Sequence, residues 1–333
     1  MSDTPAAADA THSGGRSLVA RAVEISTLGP FLALVLAGAF FALKSDRFLT
    51  GENLSLIVQQ SIEVGTLAIG QTLVILTAGI DLSCGAVMAL GSIVMTRLAV
   101  EAGVNPIIAI ALGILTCVGL GVLNGVLVTS IRLPAFIVTL GTLNIAFALT
   151  HIYSKDQTFL NLPSEMTFLG RSFDIGGTSI TYGSVVMFGL FGVAWFVLSQ
   201  SSTGRHVYAL GNNPEAVRLA GVHVQRLLIG VYATAGLVYG IAALLLIART
   251  ESGDPNAGQT DNLDSITAVV LGGTSLFGGR GGVIGTLIGV LIIGVIRDGL
   301  ILLGVASIYQ VLITGILVIV AVALDQLARR KRG

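Results

Sequence analysis

Charged residues are scarce in this sequence, because aspartate, glutamate, lysine and arginine together make up only 11% of its 333 residues. Soluble domains carry about 25%. The positive and negative charges also balance to a formal net charge of zero, so the sequence lacks the basic surplus that a nucleic-acid partner requires. The scarcity of charge excludes an ordinary soluble domain, and the balance of charge predicts no nucleic-acid binding.

Cysteine is nearly absent as well. The two cysteines, Cys84 and Cys117, lie in apolar runs and lack metal-ligand spacing. The four histidines are scattered, and no Ser/His/Asp set is spaced for catalysis. The glycine-rich residues 272–282 lack the G-x-x-x-x-G-K-[S/T] pattern of a nucleotide-binding loop. The sequence therefore predicts a protein that is not an enzyme and has no metal or cofactor of its own.

What the sequence does contain is hydrophobic, with 53% hydrophobic residues and a mean hydropathy of +0.90. Apolar runs of about 17 to 25 residues indicate membrane-spanning helices. They predict an all-α, polytopic membrane protein with about ten transmembrane helices in a lipid bilayer. The predicted spans, of which the eighth is short, are residues 27–43, 56–78, 84–100, 107–129, 135–153, 183–198, 227–248, 265–276, 283–296 and 308–324.

The basic residues set the orientation. An even number of spans puts both termini on one side, together with the polar segment 201–226. That side collects most of the lysines and arginines, which favours the cytoplasm. We therefore predict a disordered cytoplasmic tail at residues 1–25, a transmembrane domain at 26–325 and a basic cytoplasmic tail at 326–333. Residues 1–25 lack the features of a signal peptide.

The cytoplasmic segment 201–226 contains the signals of a short helix. Asn213 can cap its first turn, and Pro214 has the backbone angle that this turn needs. Glu215 lies at the positive end of the helix dipole, and Gly221 supplies the left-handed residue that ends a helix. The pattern predicts a helix of about seven residues, roughly 10 Å long.

A helix of that length is not stable alone in water, so it must dock through an apolar face formed by Ala216, Leu219 and Ala220. Two interpretations remain open at this point. The helix can rest on the membrane surface or on its own bundle, or it can be a contact helix for a cytoplasmic partner.

Polar groups at membrane depth are the candidates for the translocation path or its gating, because each needs a partner or a watery cavity. Glu63 lies within the second span. Asp81 lies at a break in the apolar pattern, where it can either cap the next helix or contact substrate. The uncharged candidates are Ser83, Asn124 and Asn144.

Glycines recur at intervals of four residues in two places. Gly121 and Gly125 lie in the fourth span, and Gly281, Gly285 and Gly289 lead into the ninth. This spacing allows helices to cross closely, within one chain or across a dimer. We interpret both series as packing features.

Four sequence motifs resemble those of the permease subunits of monosaccharide ABC importers, the ribose/xylose/arabinose/galactose group. They are TLVILTAGIDLSCG at residues 72–85, LPAFIVTLGT at 133–142, TGRHVYALGNNPEAVRLAG at 203–221 and GGTSLFGGRGG at 272–282. The resemblance runs in order from about residue 48 to residue 324. One departure is Cys84, where the family usually has valine. The motifs do not distinguish ribose, fructose, similar sugars or autoinducer-2.

The resemblance implies a location in the bacterial inner membrane and three protein partners. These are a second permease chain, most simply as a homodimer, a periplasmic sugar-binding protein and a cytoplasmic ABC ATPase that binds ATP and Mg²⁺. The short helix would be the coupling helix, so the implied ATPase-coupling residues are Asn213, Pro214, Glu215, Arg218, Leu219 and Gly221. Two competing classes are a secondary transporter coupled to protons or sodium through Glu63 or Asp81, and a passive channel.

Overall fold

A computed structural model describes the backbone of residues 15–330 and the side chains of residues 28–326 with a few gaps near the C-terminus. A short 3-10 turn, Phe168–Gly170, precedes a hairpin formed by β1 (Ser172–Ile175) and β2 (Thr178–Thr181). The helices are α1 (Gly15–Lys44), α2 (Gly51–Gln60), α3 (Ile62–Leu76), α4 (Cys84–Val100), α5 (Pro106–Ser130), α6 (Ala135–Ser154), α7 (Ser164–Thr167), α8 (Tyr182–Gln200), α9 (Ser202–Asn212), α10 (Pro214–Leu219), α11 (Val224–Thr250), α12 (Asp261–Leu271), α13 (Val283–Leu302) and α14 (Ser307–Arg330).

Helix α11 lies at the centre of the bundle, where it packs against α3, α4 and α5. Its tyrosines Tyr232 and Tyr239 are among the largest fully buried side chains. Large hydrophobic side chains are exposed along α1, α5, α6 and α8 instead, as expected where lipid replaces water. Among the described residues, α5, α6, α8, α11 and α13 are each long and apolar enough to cross a membrane. The predicted helical, polytopic membrane fold is confirmed at this level, and the described residues add a small hairpin to the all-α prediction.

The second predicted span, residues 56–78, was wrong in its boundaries. Helix α2 begins earlier, at Gly51, where the Thr50 side chain caps it. The helix is then interrupted at Ser61, whose hydroxyl donates a 2.7 Å hydrogen bond to the Ile57 carbonyl oxygen. Such back-bonding from serine often bends helices, and one predicted span corresponds to two helices, α2 and α3.

The eighth predicted span, residues 265–276, also differs from the structure. Helix α12 begins at Asp261 and ends at Leu271, so it is roughly 16 Å long at 1.5 Å per residue and too short to cross a bilayer alone. The chain then turns through four residues with positive φ, Gly273, Gly278, Gly279 and Gly281.

The termini differ from the predicted tails. Helix α1 begins at Gly15, inside the predicted disordered segment 1–25, because residues 16–24 are mostly good helix formers. Helix α14 runs to Arg330 and so includes part of the predicted tail 326–333. Residues 1–14 and 331–333 lie outside the described part of the chain.

Both glycine series lie at close helix contacts, as predicted. A Cβ atom on Gly121 would lie 2.3 Å from the backbone oxygen of Tyr232 in α11, and one on Gly285 would lie 2.1 Å from the backbone oxygen of Gly272. Gly119, two residues from Gly121 on the same helix, has nothing within 4 Å of such an atom. The spacing of glycines therefore marks the packed face of α5 and leaves its outer face free.

Candidate functional site

Asp81 lies in the non-helical segment between α3 and α4 and is 1% exposed. Its Oδ1 atom accepts hydrogen bonds from the Ser83 backbone N–H at 2.8 Å and from the Ser83 hydroxyl at 2.6 Å. Its Oδ2 atom accepts one from the Tyr239 hydroxyl on α11 at 3.2 Å. The carboxylate therefore links the start of α4 to the central helix. This differs from the capping role that the sequence left open, because the N-cap of α4 is Ser83 and no side chain caps that helix.

A chain of hydrogen bonds extends from this carboxylate across two more helices. The Asn124 amide donates to the Ser83 hydroxyl oxygen at 3.1 Å, and the Thr142 hydroxyl donates to the Asn124 amide oxygen at 2.5 Å. We refer to Asp81, Ser83, Asn124, Thr142 and Tyr239 as the polar cluster. It joins α4, α5, α6 and α11, so three of the predicted pathway residues do come together.

Two further buried residues beside the polar cluster were missed from the sequence. Gln71 on α3 donates from its amide nitrogen to the Asp81 backbone carbonyl oxygen. Its Oε1 atom and the Tyr232 hydroxyl are both buried without a hydrogen-bond partner among the described residues. The sequence feature that could have identified them is a polar side chain in the middle of an apolar span. Gln71 and Tyr232 have this feature as clearly as Asn124 does.

Glu63 does not belong to the polar cluster. It is 3% exposed and forms an ion pair with Arg249 of α11, with 2.5 Å between Oε1 and Nε. A second pair joins Asp264 of α12 to Arg297 of α13, with 2.6 Å between Oδ2 and Nη2. These pairs lie at the end of the bundle where α3 begins and α11 ends, so Glu63 fixes one end of the bundle. Among the described residues no group of histidine, cysteine and carboxylate side chains could hold a metal ion.

Asn144, the fifth predicted pathway residue, lies on the wall of a cavity of about 300 Å³. The cavity is bounded by the start of α4, by α6 and by the segment that connects α11 to α12. Its lining consists of Ala86, Ala89, Leu143, Asn144, Phe147, Thr150, Pro255, Ala257, Gly258, Gln259 and Asn262. The Asn262 amide nitrogen donates a 3.2 Å hydrogen bond to the Leu82 carbonyl oxygen, which ties this wall to the segment that carries Asp81.

The short helix predicted after Asn213 is present as α10, Pro214–Leu219. The Asn213 side chain accepts a 3.0 Å hydrogen bond from the Ala216 N–H, and Gly221 follows the helix with a φ of +83°. Both capping predictions are confirmed. Glu215 and Arg218 pair on the surface at 2.5 Å, and the hydrogen bond from Arg218 lowers the pKa of the Glu215 carboxyl.

The apolar face predicted for α10 is not the face that it buries. The helix packs against α9 and α11. The buried residue is Val217, at 5% exposure. The three residues predicted to dock, Ala216, Leu219 and Ala220, are all exposed, and Leu219 is 76% exposed. Docking of these residues on a cytoplasmic partner stays a prediction.

Helix α9 was not predicted, because its residues were interpreted as part of a polar segment. The side chain of Ser201 caps the start of this helix. It contacts the glycine-rich turn at residues 272–282. The Tyr208 hydroxyl donates to the Gly281 carbonyl oxygen at 2.9 Å, and the Asn212 amide donates to that of Gly279 at 3.2 Å. The Gly279 N–H in turn donates to the Leu76 carbonyl oxygen at 2.9 Å, so α9 is joined to the end of α3, five residues before Asp81.

The sequence of this chain is similar to the sequences of known membrane permeases. The family described as branched-chain amino acid transport system, permease component, matches residues 53–322. The fructose import permease protein FrcC of Rhizobium meliloti is 44% identical over 90% of this chain and 85% of its own length. The ribose import permease protein RbsC is 40% identical in Bacillus subtilis and 39% in Escherichia coli, over 90% and 88% of this chain and 92% of each relative. No solved structure matches the chain significantly.

Proposed function

The chain belongs to the permease family of monosaccharide ABC importers, and from this premise we propose that it forms the membrane path for a pentose or hexose such as ribose or fructose. A separate cytoplasmic ATPase, which binds ATP and Mg²⁺, drives the cycle, and a soluble binding protein delivers the sugar. The observation that carries this proposal is α10, a short capped helix whose Leu219 side chain is 76% exposed. A passive channel or an ion-coupled transporter needs no such docking surface.

The ATPase-coupling surface in this proposal consists of α10 and its caps, with Asn213, Pro214 and Gly221 fixing the shape of the helix. Glu215 and Arg218 flank Leu219 on the exposed side. Movement at α10 reaches the membrane through α9, because α9 hydrogen-bonds to the glycine-rich turn and that turn to the end of α3. The polar cluster begins where α3 ends, so it is the first group of membrane residues that a movement of α10 would reach.

Reconstitution tests the proposed function. We expect proteoliposomes that contain this permease, the ATPase and the binding protein of the same organism to accumulate labelled ribose or fructose only when ATP is supplied. Omission of either partner should abolish accumulation, and ionophores that collapse proton and sodium gradients should not change it. Uptake that needs an ion gradient and no ATPase would instead identify a secondary transporter, with Glu63 or Asp81 as the coupling residue.

The proposed topology has ten crossings, with α2 and α3 together making one, and α12 together with the non-helical segment before it making another. Three contacts near the ends of the helices support the alternation of the connecting segments between the two sides of the membrane. Residues 159 and 253 pair at one end, and Ser55 hydrogen-bonds to Ser179 there. At the other end the Gln225 side chain donates to the Ser130 hydroxyl at 2.8 Å. The basic segment 201–226 lies at this second end, which we place in the cytoplasm together with both termini.

Thiol labelling tests the orientation. In a background with Cys84 and Cys117 replaced by alanine, Asp174→Cys in the hairpin should react with a membrane-impermeant maleimide in intact cells. His223→Cys, between α10 and α11, should react only after the inner membrane is opened. Both native side chains are exposed. The opposite pattern at the two positions would reverse the orientation. The second permease chain is proposed to be another copy of this one.

A further inference from the structure

The cavity lined by Asn144 borders α6, a helix that is long and apolar enough to cross a membrane. Asn144 is about halfway along α6, Ala135–Ser154. On the opposite wall, the segment after α11 runs back alongside α4. Gly253 lies against Thr96 near the end of α4, and Gly258 lies against Gly85 at its start. These contacts are eleven residues apart on α4, so the segment descends roughly 16 Å into the bundle.

That descending segment has no regular secondary structure from residue 254 to residue 260, and its side chains Asn256 and Gln259 are exposed. Non-helical backbone at membrane depth is tolerated only where it is buried in protein or lines a water-filled space. By this rule the polar, exposed residues 256 and 259 indicate that the segment borders a water-filled space, and Gln259 also lines the cavity.

The chemistry of the lining is neutral, since none of the residues that border the cavity is charged. The Asn144 amide nitrogen donates to the Leu140 carbonyl oxygen at 3.1 Å, and that of Gln259 donates to the Asn256 side chain at 3.2 Å. No hydrogen bond within the described part of the chain engages the Oδ1 atom of Asn144 or the Oε1 atom of Gln259. Phe147, 44% exposed, adds a flat apolar surface.

We propose that this cavity is a subsite that holds one neutral monosaccharide during its passage, with Asn144 and Gln259 binding hydroxyl groups and Phe147 covering the C–H face of the sugar ring. The volume of about 300 Å³ is at the lower end of the range for small-ligand sites. The assignment rests on the proposed transport function and specifies where in the chain the sugar is recognised.

The neutral lining also decides between ligand classes. A branched-chain amino acid, named in the description of the matching family, carries an ammonium and a carboxylate at neutral pH. A site that recognises such a ligand uses side chains of opposite charge, because hydrogen bonds between ionised groups are the strong ones. A sugar carries no charge, and each of its hydroxyl groups can donate to a side-chain amide oxygen. The lining therefore suits a sugar and not an amino acid.

Labelling and protection test the subsite in the complete permease complex. In the background without native cysteines, Asn144→Cys should react with a small water-soluble methanethiosulfonate reagent. Ile145→Cys is the matched control: Ile145 is the next residue on α6, is 53% exposed and does not line the cavity, so it should react far more slowly. Millimolar ribose or fructose should slow the reaction at position 144 at least threefold, whereas leucine should not.

Three results would overturn the proposal. Failure of the Asn144→Cys protein to react would show that the cavity is not aqueous. Reaction without protection by ribose or fructose would remove the sugar subsite, although ATP-driven sugar uptake by the unmodified permease would still stand. Protection by leucine would show that the site takes another class of ligand.

Uptake by a second pair of variants supplies an independent measurement. Phe147→Ala should lower the maximal rate of sugar uptake about three- to tenfold, and Phe136→Ala should leave it unchanged. Both phenylalanines are exposed on α6, but only Phe147 lines the cavity. Equal rates for the two variants would contradict a role for Phe147 in holding the sugar.

Discussion

Replacement of Leu219 by aspartate is expected to abolish sugar uptake while the permease remains inserted in the membrane. Leu219 is the largest apolar side chain on the exposed face of α10, and the described part of the chain leaves 76% of it exposed. Burial of a leucine against the ATPase would contribute roughly 1.5 to 3 kcal/mol. Its loss corresponds to about a ten- to hundredfold weaker association, and an unpaired carboxylate in the same contact adds a desolvation cost.

The measurement is co-purification of the ATPase with membrane-inserted permease, together with ATP-driven uptake. Leu160→Asp is a suitable control, because Leu160 is a similarly exposed leucine, at 57%, in the connection between α6 and α8 at the opposite end of the bundle. That variant should retain the ATPase. Gly221→Val should weaken association less than Leu219→Asp does, because it disfavours the left-handed residue that ends α10.

Wild-type levels of both ATPase and uptake in the Leu219→Asp protein would show that α10 is a surface helix and that the partner binds elsewhere. Loss of the ATPase from the Leu160→Asp protein as well would show that the assay reports general damage. The two leucines together separate a specific contact from a loss of folding.

Replacement of Asp81 by alanine is expected to cause the second large effect, a loss of correctly assembled permease. The change removes the carboxylate oxygens that accept hydrogen bonds from the Ser83 N–H and the Tyr239 hydroxyl. A buried donor without a partner costs about 1 to 3 kcal/mol. Because Ser83 also bonds to Asn124, the disturbance would extend to α5 and α6.

Asp81→Asn is the matched variant, because an amide oxygen can still accept the hydrogen bond from the Ser83 N–H. We expect it to keep both assembly and transport. The measurements are the yield of monodisperse permease in detergent and ATP-driven sugar uptake. Normal assembly of the Asp81→Asn protein with poor uptake would show that the charge itself acts in transport, and normal behaviour of Asp81→Ala would dismiss the structural role.

Local features were accessible from the sequence alone. The short helix α10 and its caps at Asn213 and Gly221 depend on residues within one or two turns of each other. The apolar runs that became α5, α6, α8 and α11 are equally local, since each must match the thickness of the bilayer. The glycine spacing of α5 marked its packed face because only a residue without a side chain allows such an approach. The four motifs carried the family resemblance in the same way.

Tertiary structure decided what depends on partners distant in sequence. Nothing near Glu63 indicates that Arg249 neutralises it, and nothing near Asp81 indicates that Tyr239 lies beside it. Residues 254–260 lie between two predicted spans, and only their contacts with α4 place them alongside that helix. Polarity along the chain shows that a residue needs water or a partner, but the packing of the helices determines which of the two it receives.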